Sequence, residues 1–225
     1  MHLNAYPMNR MLKTQKGWIA VTINFPVGIK TVTISSGPTK VVYYPRVTGM
    51  QNKQLQQFIN STIVRQNQQI INEQTGNMDT TVVDLYGYYE IKNNQRDVLS
   101  LSLNNYVYHY HAAHGMTVIK SLTFDLQKRR QVELKDLFKP GSDYVKRISE
   151  LIKVQIKERD IPLLVDFKAI RPDQDFYIAD KALIIYFQLY EITPYAYGFP
   201  MFPISVYALQ DIIDENGPLG RMAVN

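Results

Sequence analysis

His109, His111 and His114 fall within six residues, and the only other histidine is His2. Imidazole is a favoured ligand of zinc, and residues two apart on a strand share a face. His109 and His111 could therefore grip one ion while His114 arrives from the turn beyond. A zinc held in this way would activate water for hydrolysis. The same spacing has a structural reading. His109 and His111 share the parity of Leu99, Leu101, Leu103 and Val107, which sets them at the edge of a packed core, hydrogen-bonded to the protein itself. The acids are less suggestive. Glu133 and Asp136 flank the first turn of a short helix, and Asp173, Asp175 and Asp180 surround turns that lack the glycine and terminal glutamate of an EF-hand. A pair of acids for glycoside cleavage depends on spatial separation, which sequence spacing does not reveal. No Gly-x-Ser-x-Gly elbow, His-Glu-x-x-His pair or phosphate-cradling glycine loop is present. The absence of cysteine removes disulfides, thiolate nucleophiles and cysteine-held metals.

A second chemistry lies in residues 186–203, where seven of eighteen positions are Tyr or Phe, three are Pro, and Glu191 is the one charge. Alternation from Leu183 to Tyr190 predicts a strand, which Thr193-Pro194 breaks because proline gives no ladder donor and pushes its predecessor to extended geometry. A rigid loop follows, with Gly198 free to turn the backbone. Tyr195 and Tyr197 alternate, so both can face outward beside Pro194 and Phe199. Rigid aromatics with a polar tip hold a protein or sugar surface at low entropic cost. The plainer alternative tucks these rings onto the core, with Tyr190 and Glu191 holding the loop.

The elements that position these residues are mostly strands. Patterns at 18–25, 29–35 and 40–44 are separated by Gly28 and by Ser36-Gly37-Pro38, as hairpin turns would separate them. Residues 50–71 carry Leu55, Phe58, Ile59, Ile63 and Ile70 at helical spacing, with Gln and Asn opposite. Strands at 81–92 and 97–111 are expected to meet across Asn93-Asn94, and another at 116–126 runs to Lys128-Arg129-Arg130. A second amphipathic helix is predicted at 142–159, with Ser142 as its cap and Asp143 at the positive end of its dipole. A hairpin at 175–178 and 182–191 turns at Asp180-Lys181, and one or two helical turns occupy 207–213. These elements imply an α+β fold: a largely antiparallel sheet with two amphipathic helices packed on it in a single compact body. The expected divisions are an N-terminal extension over 1–17, two halves over 18–115 and 116–215, and a tail over 216–225.

Of 225 residues, 45% are hydrophobic and 20% charged, as in ordinary globular chains, but sixteen are Tyr, which favours strands. The formal charge of +5 lies in the first half. Residues 1–115 hold ten Lys/Arg against five Asp/Glu, whereas 116–225 hold fifteen of each. One basic run at an expected turn reads as a solvated turn, so a nucleic-acid partner is not expected. No apolar stretch reaches the length of a membrane span, and no signal peptide is expected in the chain as given.

These landmarks fall in a familiar order. Tyr44-Pro45-x-Val47-x-Gly49 followed by Leu55-x-x-Phe58-Ile59-Asn60 resembles the first half of the PdaC/SigV-type domain. Leu99-Ser100-Leu101, Tyr106-x-Tyr108 and Ala113-His114-Gly115 resemble its junction with the RsiV-type domain. Leu122-Thr123-Phe124-Asp125-Leu126, Leu134-x-Asp136-Leu137-Phe138 and Tyr190-Glu191-Ile192-Thr193-Pro194-Tyr195-Ala196-x-Gly198-x-Pro200 then resemble the RsiV-type domain itself. The likeness spans roughly 19 to 214. It departs where the usual junction has a glycine and this chain has Ala112, so any positive φ there must be met differently.

The resemblance implies a non-enzymatic extracytoplasmic module of Gram-positive bacteria, found in lysozyme-sensing anti-sigma factors and ahead of the catalytic domain in cell-wall deacetylases. It implies no cofactor, and a membrane link only through a segment outside this chain. The partner expected is a lysozyme-like protein or peptidoglycan glycan, held by Pro194, Tyr195, Tyr197, Phe199 and His114, with Glu191, Gly198 and Gly115 shaping the motif. The alternative is a metal-dependent or acid/base cell-wall hydrolase built on His109, His111 and His114. A third reading is a spacer without a ligand.

Overall fold

A computed structural model describes residues 9–14, 17–22, 25–76 and 81–224, the first two stretches as backbone alone. Strands β1 (Asn9–Thr14) and β2 (Gly17–Thr22) pair with each other in a separate hairpin. The expected hairpin across Gly28 is therefore not made, and β1 falls inside the stretch read as an extension, most of whose first residues lie outside those described. Strand β3 (Gly28–Ser35) pairs antiparallel with β4 (Lys40–Thr48). Helix α1 (Lys53–Thr75) then crosses over to β5 (Val82–Gln95), which lies parallel to β4. Strands β6 (Val98–His109), β7 (Met116–Asp125) and β8 (Arg130–Gln131) complete an antiparallel run, giving a six-stranded sheet in the order β3-β4-β5-β6-β7-β8.

The turn between β5 and β6 is Arg96-Asp97, not Asn93-Asn94. Both turn residues take positive φ, 52° and 56°, the twist that lets a two-residue hairpin match its strands. The asparagines remain in β5 and spend their amides on backbone. Asn93 Nδ2 donates to the Gln95 and Val98 carbonyls at 3.1 and 2.7 Å, and Asn94 Nδ2 donates to the Val27 carbonyl at 2.8 Å.

After a 3-10 turn (Leu134–Leu137), helix α2 (Tyr144–Glu158) precedes β9 (Phe176–Ala179) and β10 (Ala182–Tyr186). Asp143 caps α2, accepting from Lys146 N at 3.2 Å, while Ser142 Oγ, proposed as the cap, is buried without a partner. Strand β10 ends at Tyr186, shorter than alternation predicts. It pairs on its far side with β11 (Met201–Ser205), whose Pro203 is tolerated because the strand is an edge. The expected tail instead carries α3 (Pro218–Ala223), with Pro218, Leu219 and Met222 buried.

The layers run α1, six-stranded sheet, three-stranded sheet, α2. Leu55, Ile59, Ile63 and Ile70 of α1 close on Leu99, Leu101, Leu103, Leu122 and Phe124. Leu183 and Ile185 face α2's Ile148 and Ile152, whereas Ile184 and Tyr186 face Ile119 of β7. The opposite side of β6, Ser100, Ser102 and Asn104, is therefore buried too, beneath β9. Ser100 Oγ accepts from Ile178 N at 3.1 Å and bonds Thr123 Oγ1 at 2.9 Å. The fold is α+β and dominated by antiparallel pairing, as expected.

Candidate functional site

Strand β6 ends at His109, and its ring is fully occupied. Nδ1 lies 2.8 Å from Thr81 Oγ1 and Nε2 lies 2.9 Å from the carbonyl of Gln74 at the end of α1. His111 is off the strand, in the turn, at φ 64°, exposed and against the ring of Tyr110. The positive φ of this junction thus sits on His111 and not on Ala112. His114 turns toward the second half of the chain. The three rings do not form one ligand set, and no group of three His, Asp or Glu side chains able to hold a metal ion occurs among the described residues.

His114 joins two tyrosines instead. Its ring stacks on Tyr195, with centroids 4.1 Å apart and planes 29° apart, and lies 6.3 Å from Tyr190 at 28°. Tyr190 and Tyr195 are themselves 5.5 Å apart. Polar bonds lock the group. His114 Nδ1 is 2.9 Å from the Gly115 carbonyl, so in the neutral ring that nitrogen carries the proton, and Nε2 accepts from Tyr190 Oη at 3.1 Å. Tyr195 Oη donates to the same Gly115 carbonyl at 3.0 Å. Gly115 lets the backbone pass close to Tyr106, because a Cβ there would run into that ring. Tyr190, read from sequence as a strand residue at the core edge, has φ 65° and keeps 47% of its surface exposed. Nothing in strand alternation signals that kink.

Tyr195 and Tyr197 do not face the same way. They form a 3-10 turn between Pro194 and Gly198, whose φ of 80° favours glycine. Tyr197 packs against the core beside α2, with Arg159 Nη2 3.5 Å from its hydroxyl. Phe199 packs with Ile119, Tyr177, Ile184 and Tyr186 between the sheets. Glu191 is the brace of the loop. It accepts from Gln188 N at 2.7 Å and Gln174 Nε2 at 3.3 Å, and forms an ion pair with Arg171.

Beneath the loop, Gln188 Nε2 donates to the Ile119 carbonyl at 2.7 Å and to Asp175 at 2.9 Å, and Asp175 pairs with Lys120 at 3.2 Å. Tyr186 Oη lies 2.9 Å from Ser121 Oγ. Burial, reinforced by Asp175, pushes the Tyr186 phenol well above its ordinary value of 10.0. Two further acids singled out in the sequence, Glu133 and Asp136, have structural partners. Glu133 and Asp136 cap each other's backbone, and Asp136 pairs with Arg130 at 3.1 Å. The arrangement as a whole can bind through its rings.

Two stretches of the chain match families of RsiV/PdaC type. Residues 40–117 match the family described as "Deacetylase PdaC", and residues 135–207 match the family described as a protein of unknown function, DUF3298. Anti-sigma-V factor RsiV of Bacillus subtilis (strain 168) is 31% identical over 184 residues, covering 75% of this chain and 63% of that protein. Peptidoglycan-N-acetylmuramic acid deacetylase PdaC of the same organism is 26% identical over 134 residues, covering 56% of this chain and 28% of that protein. The chain thus spans less than two thirds of either relative. A crystal structure of a DUF3298 family member from Bacteroides fragilis superposes with a TM-score of 0.66 at 14% identity, over 88% of this chain and 98% of that one. Another, from Pseudomonas aeruginosa, gives 0.65 at 15% identity, over 86% and 96%. These two show the fold alone. No helix among the described residues is long and apolar enough to cross a membrane.

Proposed function

We propose that this chain is a non-catalytic, extracytoplasmic sensor module of a Gram-positive envelope that docks a lysozyme-like protein on the His114–Tyr190–Tyr195 stack. The observation that carries the reading is the stack itself: three aromatic rings, Tyr190 half exposed, fixed by two bonds to one carbonyl. Rings held in advance lose little entropy on binding, and tyrosine tips can meet donors and acceptors in a partner. Similarity to an anti-sigma factor supports a sensor role, and dispersal of the three histidines counts against the hydrolase alternative. Pro194 sets the entry to the turn, while Tyr197 and Phe199 support the loop from within.

The test is binding to c-type lysozyme by interferometry at physiological salt. Sub-micromolar affinity is expected, weakened about ten-fold, or 1.4 kcal/mol, by Tyr190→Ala or Tyr195→Ala. No binding at tens of micromolar would sink the proposal. Unchanged affinity in both variants would move the contact elsewhere.

A further inference from the structure

Away from the tyrosine loop, α1 and the β3–β4 edge open a groove of about 860 Å³. Three charged side chains line it, Arg46, Lys53 and Arg65, and all are cations. None makes an ion pair among the described residues. Among the described residues the Arg65 side chain makes one polar contact, a long one of 3.4 Å to Thr62 Oγ1.

The protein's own energetics oppose this placement. Lys53 is the first residue of α1, at the positive end of the helix dipole, and the first turn has no acid to offset it. Arg46 lies directly opposite Lys30 across the β3–β4 ladder, an unfavourable pairing of like charges. Positive charge held in such positions without partners is relieved by an anionic ligand.

Its spread identifies the ligand's shape. Lys53, Gln57, Ser61 and Arg65 recur every fourth residue, forming one stripe along the helix. Lys53 and Arg65 are therefore separated by about 18 Å along the axis, too far for one small anion to bridge. Gln57 and Gln68 add amides suited to hydroxyls, while Tyr44 and Val64 supply apolar surface. Single-stranded nucleic acid would call for a row of stacking rings, whereas Tyr44, half-buried, is the one aromatic lining the groove among the described residues.

The geometry points to a second binding site, in the first half of the chain, for an extended polysaccharide that carries repeated carboxylates. It stands independently of the tyrosine stack, no residue of which lines the groove.

The test uses the whole chain with hexagalacturonate, neutral maltohexaose and oligo-dT as probes, at low and physiological ionic strength. Hexagalacturonate should bind tightest, more weakly as salt rises, and should lose about ten-fold in affinity in Arg46→Gln/Arg65→Gln. These exposed substitutions should not lower the melting temperature, since Arg46→Gln relieves the pairing with Lys30, and Tyr190→Ala should leave glycan binding unchanged. No binding, equal affinity for the neutral glycan, tighter binding of oligo-dT, or indifference to the double substitution would each overturn the site.

Discussion

The two faces of β6 are closed in opposite ways. Toward α1, Leu99, Leu101 and Leu103 meet Ile59 and Ile63, and contact there is apolar. Toward the small sheet, Ser100, Ser102 and Asn104 are just as buried, but closure is by hydroxyls and amides, and at the end of β7 by a buried charge. Apolar burial is large and non-directional, so it holds α1 down while specifying its register loosely. Polar closure contributes less net free energy per contact and tolerates fewer arrangements, because each unmatched group is costly. The two proposed sites fall on either side of this difference. The tyrosine stack sits over the polar seam, through Gln188 and Ile119, where position is fixed. The cationic groove lies beside the helix, where a polymer needs surface more than precision.

The comparison can be broken first at its buried charge. Asp125 is 1% exposed and takes Arg221 Nη2 at 2.8 Å. Arg221→Ala should cost about 3–5 kcal/mol in urea denaturation, since an uncompensated carboxylate remains inside. On the apolar side, Leu101→Ala should cost about 3 kcal/mol by the same measurement, with a loss that scales with the cavity left behind. Ser100→Ala strands the Ile178 amide and Thr123 hydroxyl together, and about 1–3 kcal/mol is expected. If Ser100→Ala proved harmless, polar closure would be incidental.

The smallest effect sharpens the comparison through pH. The folded state holds the Tyr186 proton more tightly than the unfolded state does, so its contribution is complete below the ordinary tyrosine value of 10.0 and is lost as pH rises beyond it. Tyr177 and Tyr88 are shifted in the same direction, by burial first and Glu90 second. Tyr186→Phe should cost about 1 kcal/mol at neutral pH. It should also flatten the fall in stability between about pH 9 and 11, and denaturation at both ends of that range checks it.

Both long helices were legible because their apolar residues recur at helical spacing over several turns. Strand parity in β6 was equally plain, but its meaning was not. Ser100, Ser102 and Asn104 read as an ordinary polar face, and nothing local says that a second sheet covers them. The β5–β6 turn was misplaced because Asn93-Asn94 carries turn chemistry and Arg96-Asp97 does not. Strand β11 was hidden by Pro203 and by the aromatic richness around it. At the candidate site, the residue types of His114 and Tyr195 drew notice. Their contact, across eighty residues of sequence, and the kink at Tyr190 are tertiary outcomes that no local pattern carries.

The seat of Arg221 has a further consequence, which concerns time. Its guanidinium reaches Asp125 and the Asp97 carbonyl, while Arg96 donates to the Arg221 carbonyl from 125 residues away. At ordinary synthesis rates the β5–β6 hairpin waits of order ten seconds for that partner to be made. Until then Asp125 lacks its Arg221 counter-ion, and the polar side of β6 is uncovered until β9 is made. The nascent chain is therefore a better client for chaperones, and a better substrate for proteases, than the stability of the finished fold would indicate.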